Sequence, residues 1–402
     1  MKRTATTPII TATEYRSMAH MLEGLKAKES WRGKIPTQDG FSKEEKEALN
    51  VMTFALIKEV MLPKGTDLTA FPAYVMRRLY TKAYSWDSKP ANKAYFGRMI
   101  MDFRESIDTY VGEQMSETGG FKKYLDEVAS TLPDEAVKVY KAARCIATFV
   151  EFEELEDKLR PDTLEETRQQ VHADIGKFAD LPHFMEVVQG IGEYSRMKSL
   201  IRTISASRYT FRWQGYITSV RCSILTHMLE SALISFMSNL ELGHEENILK
   251  DFWVLMFHDV AEIWTDDIPS PLKDGVKILH PTPELVKRLG RSDNITLRDV
   301  AELQELDALE EKFYLNLPQC VAEFFRRGVM LEDVHDMEKK RFYKSADYFS
   351  ADLEVYWMIK GGSREHRFHD ILVKSAEEQN RTEAERELVK MLIKECFQIT
   401  FF

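Results

Sequence analysis

Cysteine is scarce in this chain of 402 residues, which has four cysteines and no Cys-x-x-Cys pair. Their scatter argues against a disulfide scaffold and a cysteine-rich zinc site, and it fits a reducing compartment. Long apolar runs are also missing: Val51–Leu62 is interrupted by Lys58 and Glu59, far short of the roughly 20 apolar residues that span a bilayer. The N-terminal segment lacks the apolar stretch of a signal peptide. We therefore expect a cytoplasmic protein with no membrane partner.

An excess of basic residues is absent as well. The chain has 55 Lys and Arg against 65 Asp and Glu, a formal net charge of −10. Nucleic-acid binders need clustered cations to meet the phosphate backbone, so the balance argues against a nucleic-acid partner. A small anionic ligand needs only one local cationic pocket and stays possible.

Glycine and proline are few, at 18 and 13 residues, and no segment alternates convincingly in the way of a strand. Apolar residues instead recur at helical spacing. The clearest such segments are Glu44–Leu62, Ala136–Leu159, Ser219–Leu240 and Glu246–Trp264. This pattern predicts an all-α protein, and the length predicts two or three domains at about 100–200 residues each.

A weak internal repeat divides the chain into two parts. Three matches occur in the same order at nearly constant offset: His20–Glu23 with His227–Glu230, Phe54–Glu59 with Phe257–Glu262, and Val139–Arg144 with Phe342–Asp347. They predict two tandem copies of one helical domain, residues 1–200 and 201–402. The alternative is that unrelated amphipathic helices look alike.

The chain contains three His-Asp dipeptides: His258-Asp259, His335-Asp336 and His369-Asp370. The last two lie in strongly charged surroundings, so we expect them to be solvated. His258-Asp259 interrupts a strongly apolar stretch, where burial is costly unless the pair is satisfied by a partner or a metal. Glu262, one turn further on, should project toward the same side and could help to activate water. A buried ion pair is the alternative.

Two further residues complete a possible set of ligands. His227 lies on the apolar segment Ile224–Phe236, and Asp347 lies in a charged amphipathic helix. Taken alone, His227 is equally explained as a core histidine and Asp347 as a partner of Lys344.

The order His227, His258-Asp259, Asp347 resembles the H…HD…D signature of HD-domain metal-dependent phosphohydrolases. The segment His258–Lys273 resembles the helix and loop of the bacterial 5′-deoxynucleotidase branch of that family. Further segments resemble its Arg-Trp pair, its final helix and the turn that follows: Phe211–Trp213, Lys344–Glu354 and Gly361–Phe368. The resemblance covers roughly Phe211 to Ile371.

This resemblance implies an HD-domain helical bundle that holds one divalent transition metal (Mn, Co, Fe, Ni or Zn) through four ligands, His227, His258, Asp259 and Asp347. It also implies that Glu262 and Asp267 are the catalytic carboxylates. Arg212 would bind the phosphate, Trp213 would pack against the sugar, and Lys273 would add positive charge near the site.

The chain departs from the family pattern at Thr226, where the family usually has Glu, and at Asp266, where it more often has Gly. Residues 1–200 lie outside the resemblance. If they form a second HD-like copy, the repeat places Ala55, Leu56 and Arg144 at ligand positions, so that copy should not bind metal. We expect either a monomer with an internal pseudo-dimer or a homodimer.

The resemblance implies a metal-dependent 5′-nucleotidase that acts on small-molecule (deoxy)nucleoside monophosphates. Two alternatives remain open at this point. One is a dNTP triphosphohydrolase or a cyclic-nucleotide phosphodiesterase, since HD sites serve several phosphoesters. The other is a catalytically weak nucleotide-binding regulatory protein.

Overall fold

We describe the fold from a computed structural model of the chain. The structure describes residues 8–28, 41–84, 103–115, 118–213, 220–265, 268, 270–330, 334–363, 366–377 and 381–400.

The described residues form helices throughout. Up to residue 206 these are α1 (Ala12–Lys26), α2 (Lys43–Met61), α3 (Phe71–Tyr84), α4 (Phe103–Gln114), α5 (Gly119–Ala129), α6 (Asp134–Leu155), α7 (Pro161–Gly176), α8 (Phe184–Gln189) and α9 (Tyr194–Ala206). Beyond it they are α10 (Ile224–Leu242), α11 (Ile248–Phe257), α12 (Glu262–Thr265), α13 (Ser270–Gly275), α14 (Pro283–Leu289), α15 (Leu297–Ala308), α16 (Gln319–Arg326), α17 (Met337–Lys360), α18 (His366–Ser375) and α19 (Glu383–Thr400).

The prediction of an all-α fold is confirmed. Among the residues that the structure describes, extended pairing is limited to two isolated bridges, Phe211 with Ser223 and Lys277 with Thr296. No helix in this part of the chain combines the length and the apolar content that crossing a bilayer requires.

Helix α10 lies at the centre of the molecule and is buried from Ile224 to Leu240. It begins where the Ser223 hydroxyl accepts a hydrogen bond from the Thr226 amide, a cap that satisfies one of the free amides of the first turn. It ends at Gly243, whose positive φ of 71° suits a residue without a side chain. A helix that is apolar on all sides needs neighbours all round, and α10 packs against α2, α3, α11 and α17.

Both halves of the chain contribute to one continuous apolar core. Phe71 of α3 stacks on Phe54 of α2 at 4.4 Å between ring centroids and on Trp253 of α11 at 5.3 Å. Helix α1 packs against α19, and α2 packs against both α10 and α16. The division into domains at residue 200 and the tandem duplication both stay predictions.

One predicted helix is shorter than its periodicity indicates. The segment Glu246–Trp264 was expected to be continuous, but α11 ends at Phe257 and a turn separates it from α12, which begins at Glu262. His258 follows the last helical residue, and its Nδ1 lies 2.7 Å from the carbonyl oxygen of Leu255. The side chain thereby satisfies a carbonyl at the helix end, where intrahelical partners run out.

Candidate metal and phosphate site

Four of the residues singled out in the sequence meet in space. One ligand atom from each of His227, His258, Asp259 and Asp347 lies within 4.8 Å of the other three. His227 comes from α10, the His258-Asp259 pair from the turn after α11, and Asp347 from α17. Among the described residues this is the one group of three or more possible metal ligands that approach so closely.

The two imidazoles face each other across the cluster. Their ring centroids are 5.2 Å apart. His227 Nε2 lies 2.9 Å from an oxygen of Asp347 and 3.6 Å from one of Asp259. His258 Nε2 lies 3.4 Å from the same oxygen of Asp259 and 3.7 Å from that of Asp347. Two nitrogens and two carboxylates therefore converge on one small volume.

Hydrogen bonds on the far side of each ring orient the imidazoles. The Ser350 hydroxyl donates its single proton to Glu230 at 3.0 Å, so its oxygen accepts from His227 Nδ1 at 3.0 Å. His258 Nδ1 donates to the Leu255 carbonyl. Both Nε2 atoms then face the cluster; that of His227 donates to Asp347 at 2.9 Å, and a bound metal would replace its proton. The buried His258 Nε2 makes no hydrogen bond within the protein, which is the arrangement that a metal ligand requires.

Carboxylates dominate the charge around His227. Burial and Arg212 act to lower the pKa of this histidine, but hydrogen bonds to Asp347 and Glu354 raise its pKa to about 10. The pKa of Asp347 is held well below its usual range, because the two histidines outweigh the effect of its burial. A cluster that attracts a proton this strongly has a negative potential that also favours a divalent cation.

The predicted phosphate and sugar residues enter from a short extended segment before α10. The Arg212 amide donates to the Cys222 carbonyl at 2.8 Å, and the Ile224 amide donates to the Thr210 carbonyl at 3.1 Å. This pairing places Arg212 and Trp213 beside the first turns of α10. Trp213 has a left-handed backbone, with φ of 64°, a conformation that costs a bulky residue about 1–3 kcal/mol and persists only when its surroundings hold it.

Glu354 of α17 ties this segment to the cluster. The fully buried carboxylate accepts from Trp213 Nε1 at 2.6 Å and from Arg212 Nε at 3.3 Å, and it lies 3.4 Å from His227 Nδ1. Burial acts to raise the pKa of Glu354, but Arg212 and His227 lower it to about 2. Arg212 also donates to Asp259 at 3.3 Å, so its guanidinium lies directly beside the candidate ligands.

Glu262 and Lys273 form a second polar group next to the first. Lys273 Nζ lies 3.6 Å from Glu262 and 3.2 Å from Glu305 of α15. Burial opposes the charge on Lys273, but Glu305 and Glu262 raise its pKa above the usual range, with Asp259 adding to the effect. Asp266 and Asp267 lie outside the described residues.

The other His-Asp dipeptides lie elsewhere. His335 and Asp336 are exposed, as predicted, and Asp336 caps α17 by accepting from the Glu338 amide at 2.9 Å. His369 is half-buried and Asp370 is exposed. Neither dipeptide belongs to the metal-ligand cluster.

Sequence reasoning missed the residues that hold the ligands in place. Ser350 and Glu354 follow Asp347 by three and seven residues on α17, and Glu230 follows His227 by three residues on α10. Helical spacing therefore places each of them on the same face as a ligand. A glutamate one turn after His227, within the apolar segment Ile224–Phe236, was the available signal. Thr226 immediately precedes His227 and supplies no carboxylate. The carboxylates near His227 come instead from Glu354 and, through Ser350, from Glu230.

Comparison with known proteins agrees with this geometry. Residues 199–398 match the model of the family described as 5′-deoxynucleotidase YfbR-like. No curated protein and no solved structure showed a significant similarity to the chain.

Proposed function

Residues 199–398 belong to the 5′-deoxynucleotidase YfbR-like family, and from this premise we propose that the chain is a metal-dependent phosphomonoesterase that removes the 5′-phosphate of deoxynucleoside monophosphates. The observation that carries the proposal is the convergence of His227, His258, Asp259 and Asp347 within 4.8 Å. Family membership supports phosphohydrolase chemistry of the HD type; the metal requirement and the substrate are the parts proposed here.

The four clustered residues would hold one divalent transition metal. Two imidazole nitrogens and two carboxylates suit Mn, Co, Fe, Ni or Zn, and both Nε2 atoms face the volume that such an ion would occupy. When bound, the metal would polarise a phosphoryl oxygen and lower the pKa of water.

Arg212 would bind the phosphate of the substrate. Its guanidinium lies between Asp259 and Glu354 at 3.3 Å from each, at the edge of the cluster. A guanidinium fork matches two phosphate oxygens better than an ammonium does. Trp213, held by Glu354 and packed edge-on against Phe368 at 5.7 Å, would contact the sugar.

Glu262 is the candidate acid–base residue among the described residues. It is buried and lies 3.6 Å from Lys273 Nζ, and a carboxylate in this position would accept a proton from water. Asp267 is proposed as the second catalytic carboxylate on the resemblance alone, and either residue could return a proton to the leaving 5′-oxygen.

Phosphate release from dAMP by the full chain, with Mn²⁺, Co²⁺ or Mg²⁺, tests the proposal. We expect Asp259→Asn and His258→Ala to abolish release while the circular dichroism spectrum stays unchanged. His335→Ala alters the exposed His-Asp dipeptide and serves as the matched control, with activity retained. Folded Asp259→Asn that hydrolyses dAMP at the wild-type rate would refute the proposal.

Product analysis in the same assay separates the other phosphoester activities. A triphosphohydrolase would release tripolyphosphate from dATP, and a phosphodiesterase would open a cyclic dinucleotide. Binding of nucleotide without turnover under any of the metals would instead indicate a regulatory protein.

We further propose that residues 1–200 are a non-catalytic, HD-like partner of a catalytic part, residues 201–402. His20 is exposed, while Ala55 and Leu56 are fully buried and offer no ligand atom. Light scattering would distinguish a monomer with an internal pseudo-dimer from a homodimer, and fractionation would test the cytoplasmic location.

A further inference from the structure

A buried ion pair joins the N-terminal part of the chain to the candidate metal site. Lys26, the last residue of α1, lies 2.5 Å from Glu230 of α10 and 3.1 Å from Glu44 of α2. The lysine side chain is 8% exposed and both glutamates are 0% exposed. Its Nζ also donates to Thr226 Oγ1 at 3.3 Å and lies 4.9 Å from the centre of the Trp357 ring.

Lys26 is charged in this environment. Burial opposes the charge, but Glu230 and Glu44 raise the pKa of Lys26 well above its usual range. Glu230 lies nearer to Lys26 than Glu44 does, at 2.5 Å against 3.1 Å, so the geometry pairs the ammonium with Glu230. An ammonium and a carboxylate at 2.5 Å fix each other's position.

The pair is connected to a candidate ligand through one hydroxyl. Glu230 uses one oxygen for Lys26 and the other to accept the Ser350 proton, and this leaves the Ser350 oxygen to accept from His227 Nδ1. Lys26 holds the Glu230 carboxylate in place, and this carboxylate fixes the Ser350 hydroxyl. The hydroxyl in turn holds the His227 ring at Nδ1, so that Nε2 faces the cluster. Without Lys26 the carboxylate would lose its fixed position, and the ring would lose this support.

We propose that Lys26 is a positioning residue for the metal site: it holds the Glu230 carboxylate against Ser350, and thereby fixes the His227 ring with Nε2 facing the cluster. The proposal rests on the metal site of the proposed function. Lys26 and Glu44 lie outside the matched region 199–398, so the N-terminal part would contribute to the site without supplying a ligand.

Co²⁺ titration of the full chain, followed by visible absorption, tests the proposal independently of activity. We expect Lys26→Met to weaken Co²⁺ binding about 10- to 100-fold, the usual effect of losing a partner that orients a ligand. Ser350→Ala, which breaks the connection and leaves the ion pair intact, should weaken binding to a similar extent. Lys26→Arg should retain most of the affinity.

Lys46→Met is the matched control. Lys46 pairs with the fully buried Glu151 at 2.7 Å in the same part of the chain. Replacing Lys46 therefore also removes the lysine partner of a buried glutamate. Neither residue contacts His227 or Ser350, unlike the pair of Lys26 and Glu230. We expect its Co²⁺ affinity to stay within twofold of the wild type.

The outcomes separate this inference from the proposed function. A wild-type chain that binds no Co²⁺ overturns both. A wild-type chain that binds, together with folded Lys26→Met of unchanged affinity, overturns only the role of Lys26. If Lys26→Met does not fold, the Co²⁺ affinity of Ser350→Ala decides. A wild-type affinity in Ser350→Ala overturns the proposal. Weakened binding in Ser350→Ala, together with near-wild-type affinity in Lys26→Arg, supports it.

Discussion

Replacing Glu354 by glutamine gives the sharpest test of how the site is held together. The carboxylate is fully buried and accepts from Trp213 Nε1 and from Arg212 Nε. Glutamine has the same shape but one acceptor oxygen and no charge. It can keep the tryptophan bond as a neutral one, and it leaves the guanidinium without this ionic partner.

The magnitude follows from these two bonds. A hydrogen bond to a charged group contributes about 1.5–3 kcal/mol and a neutral one about 1 kcal/mol. Losing the arginine bond and weakening the tryptophan bond should therefore cost about 2–4 kcal/mol. If Arg212 binds the phosphate, most of this loss falls on substrate binding, and kcat/KM should drop about 30- to 1,000-fold, mainly through KM.

The assay is the kcat/KM for dAMP hydrolysis, with a Co²⁺ titration in parallel. Asp352→Asn is the control, because Asp352 is a buried carboxylate on the same helix whose partners, Ser375 and Arg381, lie away from the cluster. It should leave KM unchanged. Glu354→Gln with kcat/KM within threefold of the wild type would refute this account of Arg212 and Trp213.

Other expectations concern the fold and the metal. Burial, opposed by Arg381, raises the pKa of Asp352 from 3.8 to about 6, so its stabilising contribution is complete below pH 3.8 and is lost as the pH rises through 6. The unfolding free energy of the wild type relative to Asp352→Asn should therefore fall by about 2 kcal/mol between pH 4 and pH 7 in urea titrations. Phe71→Ala removes a buried ring that stacks on Trp253, and its cost of about 3–5 kcal/mol should appear in one urea transition common to tryptophan fluorescence and circular dichroism; two separate transitions would contradict the shared core. Ser42→Ala removes the cap that accepts from the Glu45 amide at 3.0 Å and should lower stability by about 1 kcal/mol, a loss that Ser42→Asp should largely avoid. A chelator should abolish dAMP hydrolysis and added Mn²⁺ or Co²⁺ should restore it, whereas activity that persists after exhaustive chelation would argue against the metal.

Local patterns predicted the helices well where apolar spacing was regular. The segment Glu44–Leu62 became α2, at Lys43–Met61. The pattern failed at His258, because an apolar run continues past a helix end when the whole region is buried. Only the hydrogen bond from the His258 ring to the Leu255 carbonyl explains why α11 ends there.

The grouping of the four candidate ligands was predicted from the resemblance of their order along the chain to the H…HD…D signature. A histidine and an aspartate in an apolar stretch need a partner or a metal to offset the cost of their burial. This singled out His258-Asp259 from the other two His-Asp dipeptides. Their roles as ligands, and those of Arg212, Trp213, Glu262, Asp267 and Lys273 near them, stay predictions for the experiments above.

The sequence by itself determined the helical class, through the spacing of its apolar residues, and it identified the residues that gather at the site through the resemblance of their order to the H…HD…D signature. The tertiary structure alone decided what holds those residues. Lys26 and Glu230 are separated by about two hundred positions and meet at 2.5 Å, and Glu354 reaches Trp213 across 141 positions. No local period encodes such contacts, because they arise only when α1, α10 and α17 pack together and bury charges that must then find each other.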